Sequence, residues 1–218
     1  TELSMARRGS DGRSQTLHLL GYGGGTIGPV SLRAGIGHAW ASIRLDRHVV
    51  FAGVNERLRA DYDGGTLYSF LEAGHGFVVG GGSLQPYLGF ESYRVKTDAF
   101  AETGGSAALR GAARTESFTF AKLGVRAETP IVEGLGARAN AAWLRRVDGA
   151  EPRLYQGFVA GGAGFEISGA PLSRDAAAAG IDLVWAPSAN VRIVSGYNGR
   201  IGSKNGDSSF RVAAAISF

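Results

Sequence analysis

The chain has 218 residues, 44% of them hydrophobic and 19% charged, long enough for one domain and too apolar for a disordered segment. Its 35 glycines come with only 6 prolines, no collagen period and no cysteine, which excludes collagen, flexible linkers, disulfide frameworks, thiolate zinc sites and cysteine nucleophiles. The formal charge of +4 and pI near 9.6 arise from scattered basic residues, never more than two in a row, so no nucleic-acid partner is specified.

No stretch approaches the roughly 18 to 20 apolar residues of a transmembrane helix. The opening Thr1 to Ser10 is polar, carries Arg7 and Arg8 and has no apolar core after it. It is therefore not a secretory signal, and an export signal is expected upstream.

Along the chain, segments with period-two alternation recur, each bounded by Gly, Asp, Asn or Pro. In chain order, residues 1–5 read as the outer end of a strand that starts upstream. Complete strands follow at about 14–26, 30–43, 66–80, 83–96, 114–128, 133–146, 173–186, 191–201 and 208–218. The last is the clearest: Phe210, Val212, Ala214, Ile216 and Phe218 alternate with polar or small residues. Arginine on one face with Val, Ile or Tyr on the other suits a half-buried strand of a soluble sandwich, or one that faces lipid outside and water inside. Length favours the second, because soluble strands run about 5 to 6 residues and tilted membrane strands about 9 to 11.

The connections alternate as a membrane barrel requires, with short turns at one end and longer loops at the other. Short ones fall at Gly28 and Pro29, Gly80 to Gly82, Thr129 to Val132, and Pro187 and Ser188. Long polar ones are expected at 6–13, 44–65, 97–113, 148–172 and 202–207. Parity makes Phe218 periplasmic and excludes Leu154 to Ser168 as a spanning strand despite its aromatics. That stretch is expected inside one large outer loop, 148–172, as a β-excursion folding back over or into the pore. The fold class is an all-β, antiparallel up-and-down transmembrane barrel. Nine crossings cannot close a bacterial single-chain barrel, which has even strand numbers, so residues 1–218 are expected to be an incomplete barrel domain.

With this strand series in place, the chain resembles the translocator domain of autotransporters, the type V secretion proteins. The resemblance is carried by Leu58 to Phe77 (LRADYDGGTLYSFLEAGHGF), Leu84 to Phe90 (LQPYLGF) and Glu102 to Arg126 (ETGGSAALRGAARTESFTFAKLGVR). Trp143 to Arg146, Phe165 to Asp175 (FEISGAPLSRD) and terminal Phe218 add to it. It implies a twelve-stranded barrel with a helix threading the pore and a passenger N-terminal to it. The first two strands, most of the third, the pore helix and the passenger would then lie outside this sequence. Implied partners are outer-membrane lipid, the barrel assembly machinery, and the protein's own passenger and pore helix; the implied location is the Gram-negative outer membrane. The last strand is similar to the signal read by the assembly machinery, with Arg211, Ala213, Ile216 and Phe218 at its positions, although alanine stands where glycine is usual.

Alternation also sorts candidate site residues. Arg33, Glu72, Glu91, Lys122, Arg126, Glu128, Arg138, Asn140, Asp182, Arg192, Arg200 and Arg211 share one face. Leu32, Ile36, Trp40, Leu88, Phe90, Leu123, Val125, Trp143, Leu183 and Trp185 share the other. The charged set is expected to face the lumen, since charge on the lipid side costs about 2 to 4 kcal/mol at the midplane. It forms either a hydrated cationic channel or a salt-bridge network such as Glu72 and Glu91 with Arg126, and the two are compatible. Trp40, Trp143, Trp185, Tyr68, Tyr87, Tyr93 and Tyr197 are expected at interfacial girdles. The glycine runs at Gly23 to Gly25 and Gly80 to Gly82 lack a following Gly-Lys-Ser/Thr and read as tight turns.

No metal-ligand spacing joins His18, His38, His48 and His75, and nothing assembles Ser69, His75 and Asp63 into a nucleophilic site. No catalysis, cofactor or metal is expected. The first functional reading is translocation of an N-terminal passenger; the alternative is a free-standing porin-like or enzymatic barrel.

Overall fold

The structure is a computed structural model that describes residues 2–5, 10–51, 53–149, 151–169 and 172–216. In chain order its strands are β1 (Glu2–Met5), β2 (Ser10–Ile27), β3 (Val30–Phe51), β4 (Val54–His75), β5 (Phe77–Val79), β6 (Gly82–Thr97), β7 (Phe100–Ala101) and β8 (Leu109–Gly111). They continue as β9 (Arg114–Val132), β10 (Leu135–Asp148), β11 (Arg153–Phe158), β12 (Phe165–Ser168), β13 (Asp175–Ser188), β14 (Val191–Gly202) and β15 (Gly206–Ile216).

One antiparallel eleven-stranded sheet runs in the order β1-β2-β3-β4-β6-β9-β10-β13-β14-β15, with β5 continuing β4 alongside β6. Every sequential neighbour is a spatial neighbour, the up-and-down topology that the alternation implies. Tight turns at one end rest on left-handed glycines, among them Gly28 (φ 57°) and Gly80 (φ 54°), which a Cβ would strain. The turn at Gly80 to Gly82 is thus as expected. Gly23 to Gly25 are not a turn: they lie inside β2, opposite Ala34, Arg33 and Leu32. A Cβ on Gly24 would meet the Arg33 side chain, so glycine there makes room on the face that carries charge.

Among the expected long connections, the described residues of 44–65, 97–113 and 148–172 are more ordered than loops, 202–207 is a tight turn closed by Gly202 N–H to Asn205 O at 2.8 Å, and residues 6–9 of 6–13 lie outside the described residues. Residues 44–65 are nearly all strand, because β3 and β4 each run 22 residues and pair without a break from Val30↔His75 to Phe51↔Val54. A crossing needs only about 9 to 11 residues, so each strand of this hairpin is about twice as long as one crossing requires. Its charges are cross-strand partners: Arg44 lies 2.6 Å from Asp61 and Arg59 2.8 Å from Asp46. Segments 97–113 and 148–172 jointly build a separate four-stranded sheet, β12-β11-β8-β7. β11 and β12 form a hairpin outside the main sheet's path, so Leu154 to Ser168 does not span, and the excursion lies against the neighbouring connection through β8.

Candidate channel wall

Directly opposed residues of antiparallel strands share a face. The register therefore carries one face across the sheet through Arg33, Glu72, Gly89, Lys122, Leu144, Ala176 and Gly202. Arg33, Lys122, Arg126, Arg138, Asp182 and Arg211 all line a single cleft of about 640 Å³, although they come from strands as far apart as β3 and β15. Only a sheet curled toward this face brings them together, so this face is concave. Glu91, Glu128, Asn140, Arg192 and Arg200 have the same parity.

The concave face has a charged layer toward the short turns. Lys122 bridges two carboxylates, bonding Glu72 at 3.1 Å and pairing with Glu91. Arg126 closes on the other oxygen of Glu72. Glu91 thus pairs with Lys122, where the sequence suggested Arg126. Glu72 is only 6% exposed, yet two cations hold it, so it is a compensated buried charge rather than an isolated one. Arg138 donates twice to Glu128, at 3.0 and 3.2 Å, a fork that fixes the planar group. Arg211 reaches Asp182 at 3.0 Å across the intervening β14, passing over Gly196, where a Cβ would collide with the Asp182 carboxylate. Arg33 stands opposite Glu72 in register, and the Arg200 guanidinium lies 4.8 Å from the Phe120 ring centroid.

Three tyrosines expected at the girdles are on this face too. Tyr87 is buried, with Arg126 over its ring at 3.7 Å from the centroid. A Cβ at Gly124 would lie 2.6 Å from its Cζ, so glycine on β9 leaves the slot in which the ring lies flat. Tyr68 lies over Gly37 in the same way, and Tyr93 meets Phe120 edge-on at 6.3 Å. Trp40, Trp143, Trp185 and Tyr197 have the opposite parity and are exposed on the convex face, with Ile36, Leu88, Phe90, Leu123 and Leu183.

Toward the long connections the concave face turns apolar. Phe118, Phe120 and Leu144 are buried, with Tyr93, Val95 and Leu172 packed on them. This cluster escaped the sequence reading, although Phe118 and Phe120 have the same parity as Lys122 and Arg126. Of the C-terminal quartet, Arg211 and Ala213 face the concave side and Ile216 the convex side of β15; Phe218 lies outside the described residues.

A sheet of this topology, convex-apolar and concave-charged, is the wall of a membrane β-barrel. The solved translocator domain of the autotransporter NalP from Neisseria meningitidis superposes on it with a TM-score of 0.76, covering 96% of this chain and 68% of that one at 18% identity. The family model "Autotransporter beta-domain" matches residues 1–198, and the chain belongs to that family. Two proteins named extracellular serine protease, both from Serratia marcescens, are 30% identical over 205 and 201 residues, 92% and 90% of this chain. The chain spans 19% of the length of each of these relatives.

Proposed function

We propose that this domain sits in the Gram-negative outer membrane and serves the export of an N-terminal passenger to the cell surface. The observation that carries this reading is the division of one continuous sheet into an apolar convex face and a charged concave face, in a chain of the autotransporter family. Lipid contacts the first face. The second, with Arg33, Glu72, Glu91, Lys122, Arg126, Arg138, Asp182, Arg192 and Arg200, lines the conduit and receives the pore helix. Arg211, Ala213, Ile216 and Phe218 supply the C-terminal sequence signal that the assembly machinery reads.

The barrel works by geometry and charge rather than by bond-making chemistry. The protease of the Serratia proteins belongs to chains about five times longer than this one. A reporter passenger placed upstream in the complete gene product tests the reading. Protease-accessible reporter on intact cells, together with a heat-modifiable barrel band, is the expected result; a folded barrel with the reporter held in the periplasm would overturn it.

A further inference from the structure

Above Thr97, β6 stops pairing with β4, but β4 continues outward to Val54. On that side the edge of β4 from residue 63 to 54 would present bare backbone donors and acceptors, a template for any extended chain. The segment after β6 covers it. Asp98 N–H donates to Asp63 O at 3.0 Å, and Arg59 and Thr103 exchange both backbone hydrogen bonds, at 2.9 and 2.8 Å. Only β7 within this strap is strand, and β7 pairs with β8 rather than with β4, so few backbone bonds tie the strap to the rim.

Two carboxylates hold it instead, one from each side. Glu56 of β4 accepts from Ser106 N–H at 2.9 Å, Ser106 Oγ at 2.8 Å and Ala107 N–H at 2.9 Å. Glu102 of the strap accepts from Arg47 of β3 through Nε at 3.0 Å and Nη2, and from Leu109 N–H at 2.8 Å. Arg47 also donates to Ala107 O at 2.9 Å. Leu58 is sealed at 1% exposed, and Phe100 stacks on Tyr62 at 5.1 Å.

We infer that Glu56 and Glu102 clamp the strap 98–107 onto the rim of β4 so that a polypeptide leaving the conduit cannot pair with that edge. The inference rests on the export reading above for its purpose, though not for the clamp itself. An unfolded chain emerging beside a bare outward strand edge gains main-chain hydrogen bonds there and stalls. The clamp makes the rim non-adhesive, and its two acids are positioning residues for export.

The test uses the complete gene product in outer membranes of intact cells. Glu56→Gln with Glu102→Gln removes the charged acceptors, and cleavage within 98–107 by external protease should rise about tenfold or more. Surface passenger should fall while the barrel's heat-modifiable band persists. Arg59→Cys with Thr103→Cys joins a narrow hydrogen-bonded pair, whose Cα separation of about 5.5 Å suits a disulfide. Added to the double glutamine variant, this lock should restore passenger display; in the otherwise wild-type protein it should leave display unchanged.

An unaltered cleavage rate in the double glutamine variant overturns the clamp. Unaltered display with a loosened strap overturns the guarding role, and loss of display in the locked wild type shows that the strap is a moving lid. If the wild type displays no passenger, the export reading and the guarding role fall together, and the protease result still stands or fails on its own.

Discussion

The same two strands, β3 and β4, are built in opposite senses below and above a line between Trp40 and Ser42. Below it the convex face carries Val30, Leu32, Ile36 and Trp40 from β3 with Leu67 and Leu71 from β4, while the concave face carries Arg33 and Glu72. Above it the convex face carries Arg44 and Asp46 opposite Asp61 and Arg59, while the concave side buries Leu58 and Ala60. Pairing is unbroken across the line, so backbone register cannot cause the inversion; with the domain seated in the membrane as proposed, what changes is the medium outside. Hydrocarbon makes charge costly on the convex side, and water above it leaves the apolar face to be covered from within by the strap.

The largest effect should come from the charged layer below the line. Lys122→Met leaves Glu91 without its cation and Glu72 with only Arg126, and removing one partner of a buried pair costs about 3 to 5 kcal/mol. Urea unfolding of the barrel in lipid, followed by tryptophan fluorescence, measures it. A loss near zero would mean that water already screens the layer.

The boundary itself is tested by moving one substitution across it. Ile36→Arg places a guanidinium on the convex face within the apolar band, at about 2 to 4 kcal/mol near the midplane. Val50→Arg makes the same change on the same face of the same strand, above the line, where surface substitutions usually stay within about 0.5 kcal/mol. Equal effects on the folded, heat-modifiable fraction would erase the distinction between the two halves.

That boundary also separates what the sequence discloses from what it hides. Below it the contrast between lipid and water is extreme, so bare alternation at Lys122, Leu123, Val125 and Arg126 assigns the faces, and the path of the main sheet follows from turn parity. Above it the same period-two pattern is present in Ile43, Arg44, Leu45 and Asp46, but with the polar residues outward. A dense run of charge then reads as loop because its cross-strand partners lie 13 to 17 residues away. Tyr68, Tyr87 and Tyr93 were misplaced for a different reason. Their parity matches Glu72 and Glu91, but the girdle expectation carries no parity, and the glycine slots that receive two of the rings lie on other strands. The Glu56 and Glu102 contacts span 50 and 55 residues and leave no local signature.

Acid should loosen the strap through Glu56. The Ala107 and Ser106 N–H groups and the Ser106 hydroxyl hold the Glu56 carboxyl below its ordinary value of 4.5. With the folded pKa depressed, its stabilising contribution is complete above about pH 4.5 and is lost as pH falls through the folded value. Cleavage of 98–107 by an acid-active protease should therefore climb as pH drops below that point, and Glu56→Gln should flatten the rise. A profile in which wild type and Glu56→Gln stay parallel would detach the strap from this carboxyl.

A small effect is expected at an ion pair that is short but exposed. Arg44 and Asp61 meet at 2.6 Å, shorter than the 3.1 Å between Lys122 and Glu72, yet their side chains are 62% and 65% exposed against 16% and 7%. In water the Coulomb gain is small and two long side chains lose freedom to hold it, so a double-mutant cycle on Arg44→Ala and Asp61→Ala should return less than about 1 kcal/mol of coupling, shrinking further with salt. The same cycle on Lys122 and Glu72 should return several times more. The ratio of the two couplings measures how dry the concave layer is, and a ratio near one would place it in the same water as the outward hairpin.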